Sequence, residues 1–405
     1  MKTRNRAAIA ARANIQWRVD VQQFGTVRRA LPGICLLVGF LATSWLHAAG
    51  PDELSPALAY QAARSEPVTH QVDFRAVVTP PYHCQKLKVW LPLPPSDAAQ
   101  QVSDSQLSSF PLEVQPEIST ENVYGNRFAY FEFDHPQGAQ MIRHTFTAKV
   151  HQLDWSLEPE KVAAPDQWPD AFEPYFQQHS LKVTEDFQQT LARLKSPGKS
   201  PAADLFAAMD WIQSNVAYDH VQASLQADPN HALLHRRGHC SDYHGLCAAF
   251  GRGLGYPTRV TYGLTLVPKN SPSHCKLEAF LPPYGWVSFD LSETQKLAKK
   301  ISDDARLSAA EKDQWTTAAQ RRLQSGFREN SWLLLTRGSN YELAPPASRP
   351  VAVVRTIYAE ADGEPLPEPD PANPQKREFS WMTMHQYQAD RPFSLPFQDY
   401  QSLQK

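Results

Sequence analysis

Hydrophobic and polar side chains alternate with a two-residue period in four segments between residues 70 and 150. The apolar positions are Val72, Phe74, Ala76 and Val78, then Leu87, Val89, Leu91 and Leu93, then Ala129, Phe131 and Phe133, then Ile142, Phe146, Ala148 and Val150. Alternation of this kind, bounded by Pro and Gly clusters, is typical of half-buried antiparallel strands. We therefore expect an all-β sandwich domain at residues 66–155.

The pattern changes to helical spacing farther along the chain. Two predicted helices carry the apolar sets Val183, Phe187, Leu191 and Leu194, and Leu205, Met209, Ile212 and Val216. A third is predicted from Cys240 to Leu254, with Gly255 as its C-cap. Strands are predicted at 258–267, 274–281 and 286–291. Helices and strands in this order predict an α+β fold after the sandwich.

The balance of residue types narrows the possible functions. The chain has 405 residues, with 34 Pro against 17 Gly and 40 Lys+Arg against 42 Asp+Glu. Near-equal charge argues against a nucleic-acid partner. Proline breaks helix interiors, so its abundance argues against a helical bundle. Five prolines between residues 365 and 374 predict an extended, Pro-rich tail at 361–405.

The first fifty residues have the layout of an export signal. A positively charged segment is followed by an apolar stretch from Leu31 to Leu46 and by the small residues Ala48-Ala49-Gly50. A spanning helix needs about 20 apolar residues, so we expect cleavage near residues 48–50 and no stable membrane span afterwards. The alternative is an uncleaved N-terminal anchor. In both cases the protein is expected to be exported, to the periplasm or the extracellular space.

Cys240, His274 and Asp290 are the candidate catalytic residues. Cys240 opens a predicted helix, where the helix dipole and free backbone N–H groups favour the thiolate. Cysteine catalysis needs a base within reach of the sulfur and a third group that orients the base. His274 opens one predicted strand and Asp290 ends the next. A loop at 281–283 would set these two residues opposite each other, whereas a loop at 282–285 would pair Asp290 with Leu277.

A metal site is the main alternative for this part of the chain. The soft ligands there are His239, Cys240, His244, Cys247, His274 and Cys275. Cys240 and Cys247 are separated along one helix by about 10.5 Å, too far to share a zinc ion or a disulfide. We therefore expect no metal and no cofactor. The expected roles of the neighbouring residues are burial for Cys247 and Cys275, a helix-surface position for His244, capping for Asp242 and a local ion pair for Arg259.

Several short motifs follow one another in order and spacing between residues 201 and 295. They are Arg237-Gly238-His239-Cys240-Ser241-Asp242, Gly255-Tyr256-Pro257-Thr258-Arg259-Val260, Gly263, His274 and Tyr284-Gly285-Trp286-Val287-Ser288-Phe289-Asp290. This combination resembles the transglutaminase-like superfamily of cysteine enzymes. The Leu91-Pro92-Leu93-Pro94 segment also resembles the sheet domain that precedes this core in exported bacterial members. One departure is Cys275-Lys276, where many members have a small residue and an aromatic one.

The resemblance implies a papain-like catalytic domain at 180–360, in which the cysteine helix packs on an antiparallel sheet. By motif position, Cys240 would be the nucleophile, His274 the general base and acid, and Asp290 the residue that orients His274. The reaction implied is attack on a peptide or side-chain amide of a protein or peptide substrate through a thioester. Hydrolysis is the expected outcome. The alternatives are an acyl transferase that crosslinks amines, and a catalytically silent module used for binding.

Overall fold

Two antiparallel sheets pack face to face in the region where the alternating segments predict a sandwich. The computed structural model describes residues 54–178, 182–195, 202–268, 272–369 and 380–404. Its first strands are β1 (Ala63–Arg64), β2 (Val68–Val78), β3 (Lys86–Leu93), β4 (Gln100–Phe110), β5 (Glu117–Thr120), β6 (Arg127–Asp134), β7 (Gln140–Val150) and β8 (Leu153–Asp154). The alternating apolar side chains of β2, β3, β6 and β7 meet in one core cluster. The period of two therefore decides which face of each strand is buried.

Helices and a second sheet follow the sandwich strands. The helices are α1 (Glu185–Leu194), α2 (Ala203–Asn215), α3 (Pro229–His235), α4 (Cys240–Leu254), α5 (Leu291–Asp303) and α6 (Ala309–Ser325). The strands are β9 (Ala217–Tyr218), β10 (Arg237–Gly238), β11 (Thr258–Thr265), β12 (Ser273–Phe280), β13 (Trp286–Phe289), β14 (Phe327–Arg328) and β15 (Trp332–Arg337). Short 3₁₀ helices lie at Pro159–Lys161, Asp170–Tyr175 and Tyr400–Gln404. The α+β class predicted from the sequence is confirmed.

Helix α4 and an antiparallel sheet form the centre of this second region. The sheet has the order β13-β12-β11-β15, and α4 packs against β11 and β12. The helix spans the residues predicted for it, and Gly255 ends it with a φ of 97°. A left-handed C-cap favours glycine because other residues are strained there. Gly255 therefore fixes where α4 ends.

The end of the chain returns to the sandwich. Its strands are β16 (Tyr358–Ala361), β17 (Glu364–Pro365) and β18 (Trp381–Ala389). One sheet has the order β17-β16-β3-β6-β5 and the other the order β18-β2-β7-β4. Strand β18 pairs with β2 from Trp381 opposite Val78 to Ala389 opposite His70. The prediction of an extended tail at 361–405 is wrong for these strands and for the 3₁₀ helix at Tyr400–Gln404.

The physical reason is that Trp381 restarts a two-residue alternation that an edge strand can use. Trp381 is buried, and exposed residues alternate with partly buried ones along the rest of β18. The prolines at 371 and 374 lie outside the described residues, as do residues 1–50 with the predicted export signal. Within the part of the chain that the structure describes, no helix is long and apolar enough to cross a membrane.

Candidate active site

The start of α4 fixes the position of Cys240. The His239 N–H donates to the Oδ2 atom of Asp242 at 2.8 Å, so the predicted capping role of Asp242 is confirmed. A Cβ atom at Gly238 would lie 2.5 Å from that same oxygen, which explains why glycine stands there. The segment Gly-His-Cys-Ser-Asp therefore holds Cys240 as the first residue of the helix, with only 2% of its surface exposed.

The sulfur of Cys240 is surrounded by groups that favour its thiolate form. Burial alone would raise the pKa of Cys240. A hydrogen bond from Cys275 and the positive charges of His239 and His274 outweigh burial and hold the pKa well below its ordinary value. The Nδ1 atom of His239 lies 3.1 Å from the sulfur. The thiolate that these surroundings favour is the more nucleophilic form of a cysteine.

His274 and Asp290 form a buried hydrogen-bonded pair. The Nε2 atom of His274 lies 2.7 Å from the Oδ2 atom of Asp290. Burial would lower the pKa of His274, but the charges of Asp290 and Cys240 raise it to about 10. Burial would raise the pKa of Asp290, but His274 and Lys276 hold it well below its ordinary value. Since Asp290 contacts Nε2, the Nδ1 atom is the ring nitrogen that remains available to another partner.

The register between β12 and β13 differs from both predicted alternatives. Leu277 pairs with Phe289, and Phe280 pairs with Trp286. The connection spans residues 281–285 and is closed by a 2.8 Å hydrogen bond from the Leu281 N–H to the Gly285 carbonyl oxygen. Continuing this register places Asp290 opposite Lys276. His274 lies two residues earlier on the same face of β12, so both side chains reach Asp290.

Lys276 is a member of the site that the sequence did not reveal. Its Nζ atom lies 2.6 Å from Asp290 Oδ2 and 2.9 Å from Glu329 Oε2, with none of its side chain exposed. The only signal in the sequence was that Lys276 stands where related sequences often carry an aromatic residue. The rings of Trp332 and Phe397 enclose it, with Nζ 5.3 Å and 5.1 Å from their centroids.

His244 is buried, so its predicted position on the helix surface is wrong. The N–H of Leu291, at the start of α5, donates to its Nε2 atom at 3.1 Å. Its Nδ1 atom lies 3.3 Å from the sulfur of Cys275. Burial lowers the pKa of His244 to about 4, so the ring is neutral. The helix face that would carry a surface histidine is covered by α5 and β12.

Arg259, Cys247 and Cys275 complete the surroundings of the site. Arg259 donates from Nε to Glu278 Oε2 at 2.7 Å, and its guanidinium lies 3.8 Å from the centroid of the Trp286 ring. The predicted local ion pair of Arg259 is thereby confirmed. Cys247 and Cys275 are buried, as expected, and burial raises the pKa of both thiols. Among the described residues, no group of three or more His, Cys, Asp or Glu is placed to hold a metal ion.

Comparison with known proteins identifies the region around this site. Residues 188–291 match the transglutaminase-like superfamily. A crystal structure from Cytophaga hutchinsonii, of a protein proposed to be a cysteine protease, superposes with a TM-score of 0.55 at 16% identity, covering 83% of this chain and 95% of that one. The periplasmic domain of TgpA from Pseudomonas aeruginosa gives a TM-score of 0.30 at 14% identity, covering 59% of this chain and 92% of that one.

A curated sequence relative matches only part of the chain. An uncharacterised protein of Haemophilus influenzae is 25% identical over 158 residues, which is 33% of this chain and 41% of that protein. The chain thus spans about two fifths of the length of this curated relative. The family match covers the helix of Cys240, both strands of the hairpin and Asp290. It confirms the resemblance found in the sequence over that range and supports a cysteine enzyme as the general kind of protein.

Proposed function

Because residues 188–291 form a transglutaminase-like core, we propose that this protein is a cysteine amidase or peptidase. The observation that carries the proposal is that Cys240, His274 and Asp290 are buried together, in surroundings that favour the charged forms of all three side chains. Asp290 lies 2.7 Å from His274 Nε2, and the charges of Cys240 and His274 shift each other's pKa. These are the nucleophile, acid–base and orienting groups that acyl transfer through a thioester requires.

The first chemical step is attack of the Cys240 sulfur on an amide carbonyl carbon. The carbon–sulfur bond forms, and the carbonyl oxygen becomes an oxyanion near the start of α4. The backbone N–H of Cys240 is one expected donor to it. Protonated His274 then gives its Nδ1 proton to the amine, the carbon–nitrogen bond breaks, and a thioester remains on Cys240.

Tyr218 is the better of two candidates for the second oxyanion donor. Burial and the charge of Cys240 raise its pKa, so its hydroxyl keeps the proton that a donor needs. Its ring centroid lies 5.7 Å from that of His239. Trp211 instead packs against Phe250 and under Arg236. These contacts indicate a structural role for Trp211.

The second step regenerates the thiolate. Neutral His274 takes a proton from water, the hydroxide oxygen bonds to the thioester carbon, and the carbon–sulfur bond breaks to release a carboxylic acid. An amine in place of water would give an amide, which is the crosslinking reaction. The alternative of a silent binding module is disfavoured because the three residue types that the reaction needs are all present, with His274 hydrogen-bonded to Asp290 and within electrostatic reach of Cys240.

Where the protein acts follows from its first fifty residues. The charged, apolar and small-residue segments of 1–50 favour export and removal near residues 48–50. N-terminal sequencing of the protein recovered from outside the cytoplasm tests this. A mature chain that begins close to residue 50 supports export, and recovery from the cytoplasm with Met1 in place contradicts it.

One experiment distinguishes hydrolysis, acyl transfer to an amine and the absence of catalytic activity. The purified protein is incubated with a mixture of glutamine-containing peptides and a fluorescent alkyl amine, and the peptide masses are followed. We expect shortened or deamidated peptides with wild type and none with Cys240→Ala. Cys247→Ala is the matched control, because Cys247 is a buried thiol on the same helix, away from His274. Amine incorporation would instead show transfer, and unchanged peptides with wild type would contradict the proposal for these substrates.

A further inference from the structure

A buried lysine is bound to the carboxylate that orients the proposed catalytic histidine. The Oδ2 atom of Asp290 contacts both His274 Nε2 at 2.7 Å and Lys276 Nζ at 2.6 Å. The other carboxylate oxygen, Oδ1, accepts the Glu293 N–H at 3.0 Å and so caps α5. Lys276 therefore competes with His274 for the same oxygen, while the helix cap fixes the rotation of the carboxylate.

The lysine has a second carboxylate of its own. Glu329, which follows β14, has its Oε2 atom 2.9 Å from the Nζ atom of Lys276. Neither carboxylate is more than 7% exposed, so the three charges interact with little screening by water. A buried ammonium between two carboxylates is stable only while all three stay together, since removing one partner leaves an uncompensated charge.

Several elements around the site contribute titratable or charged groups. These groups are Cys240 and His244 on α4, His239 just before it, Cys275 on β12, Tyr262 on β11, Glu293 and Lys296 on α5, Glu329 after β14, Arg322 on α6, Tyr218 on β9, His220 after β9 and Arg355 before β16. Lys296 is bound to Glu293 at 2.7 Å. Arg322 donates to the Pro396 carbonyl oxygen at 2.9 Å. The ammonium of Lys276 is the cation in direct contact with Asp290 besides His274.

We propose that Lys276 is a positioning residue of this site, whose ammonium, shared between Asp290 and Glu329, sets how much negative charge Asp290 presents to His274. The inference deepens the proposed function, since it concerns the same site and explains the departure at Lys276. An aromatic side chain in its place would leave the Asp290 charge entirely to His274. The ammonium of Lys276 partly neutralises the charge of Asp290. The carboxylate of Glu329 in turn partly neutralises the charge of Lys276.

The direction of the effect follows from electrostatics. Removing a positive charge near Cys240 and His274 makes proton loss harder for both, so Lys276→Met moves the pH at which the thiolate forms upward. Removing the negative charge of Glu329 with Glu329→Gln moves it downward. The double variant removes one charge of each sign and returns it close to the wild-type value. A unit charge within about 10 Å shifts a pKa by about 1 to 2 units at an effective dielectric constant of about 20, so each single variant is expected to move the midpoint by that amount.

The test is the pH dependence of Cys240 alkylation by iodoacetamide, with the modified peptide identified by mass spectrometry. It is measured for wild type, Lys276→Met, Lys276→Arg, Glu329→Gln and the double variant. Lys276→Arg keeps the charge, so its midpoint is expected to stay at the wild-type pH even if its rate falls. A structural lesion would lower rates without moving midpoints in opposite directions.

The outcomes separate this inference from the proposed function, because alkylation needs no substrate turnover. Opposite shifts in the two single variants and a cancelled shift in the double variant support the role of Lys276, whether or not amides are cleaved. Equal midpoints in all five proteins overturn it, even if Cys240-dependent hydrolysis is found. Should Lys276→Met fail to fold, the downward shift in Glu329→Gln decides the same point, and its absence overturns the inference.

Discussion

At the scale of single residues, Cys275 lies between the proposed nucleophile Cys240 and the neutral His244 and is hydrogen-bonded to both. Because the Leu291 N–H donates to His244 Nε2, the ring proton must sit on Nδ1, which faces the Cys275 sulfur at 3.3 Å. The Cys275 sulfur thus accepts a hydrogen bond from the His244 N–H, and its own S–H is free to donate a hydrogen bond to Cys240. This hydrogen bond is the largest of the effects that lower the pKa of Cys240.

Cys275→Ala is therefore predicted to raise the pKa of Cys240. A hydrogen bond to a charged group is worth about 1.5–3 kcal/mol, which corresponds to about 1 to 2 pKa units. Cys275→Ser keeps a donor at this position and is the matched control. Titration of the thiolate by its ultraviolet absorbance measures both. A Cys240 pKa unchanged in Cys275→Ala would show that Cys275 only fills space.

Asp290→Asn tests the orienting role. An amide can donate to Nε2 and so favour the wrong tautomer of His274, for which we expect a loss of about 10²–10⁴-fold in kcat/KM. In wild type the activity is expected to fall as the pH rises through about 10, because His274 then loses the proton that it gives to the leaving amine. This alkaline limb should move to lower pH in Asp290→Asn, since the charge that raises the pKa is gone. A pH–rate profile with an unmoved limb would contradict the role.

At the scale of elements, the periodicity of apolar residues predicted the helices and strands that bury one face. It did not predict the strands that lack a buried apolar face. Helix α4 and strands β2, β3, β7, β11 and β12 follow clear apolar periods, and the structure confirms them. Strand β4 was not predicted, because its residues are mostly exposed and its sequence shows no apolar alternation. Strand β18 was not predicted because a Pro-rich stretch precedes it. Its partner strand, β2, also lies some three hundred residues earlier in the chain.

The residues of the candidate site also fall into a predicted group and a group that the sequence did not reveal. Cys240, His274 and Asp290 were predicted from motifs whose spacing along the chain is informative. Lys276 and Glu329 meet only through the hairpin register and the strand that follows α6, neither of which local sequence determines. The register itself depends on a turn at 281–285 closed by a backbone hydrogen bond, with Gly285 at a φ of 66°. A one-residue slip would have turned Lys276 to the opposite face.

The buried ion pair between β11 and β12 gives a prediction for these elements. Glu278 accepts from Arg259 at 2.7 Å and from the Tyr60 hydroxyl at 2.7 Å, with almost no exposure. Glu278→Gln leaves the guanidinium without its counterion and should lower the free energy of unfolding by about 3–5 kcal/mol. Urea unfolding measures this. Asp303→Asn, at an exposed pair on α5, is the control and should leave the unfolding midpoint unchanged.

At the scale of the whole molecule, the sandwich and the core are joined by buried polar contacts. Gln100, at the start of β4, accepts from Arg328 Nη2 at 2.7 Å and from the Leu334 N–H at 2.8 Å. It also donates to the Leu334 carbonyl oxygen at 3.0 Å. The described residues between 54 and 404 belong to one compact unit. We therefore expect the two regions to unfold together.

Gln100→Leu is predicted to weaken this junction. It leaves a buried guanidinium and a backbone amide without partners, at a cost of about 2–4 kcal/mol to the free energy of unfolding. Fluorescence reports both regions, with Trp90 in the sandwich and Trp332 in the core. The fluorescence transition should move to lower urea concentration as a single step. Gln106→Leu, at an exposed position of the same strand, is the control. Separate transitions in wild type would contradict a single cooperative unit.

The central claim is that Cys240 is an activated nucleophile that forms a thioester. Its most direct test is the intact mass of the protein after brief exposure to an activated acyl ester, compared among wild type, Cys240→Ala and His274→Ala. The account predicts a single acyl group on Cys240 in wild type, formed faster than on any other cysteine. It predicts slow labelling in His274→Ala and none at this position in Cys240→Ala. Labelling that is equally slow in all three proteins, or that spares Cys240 in wild type, would contradict it.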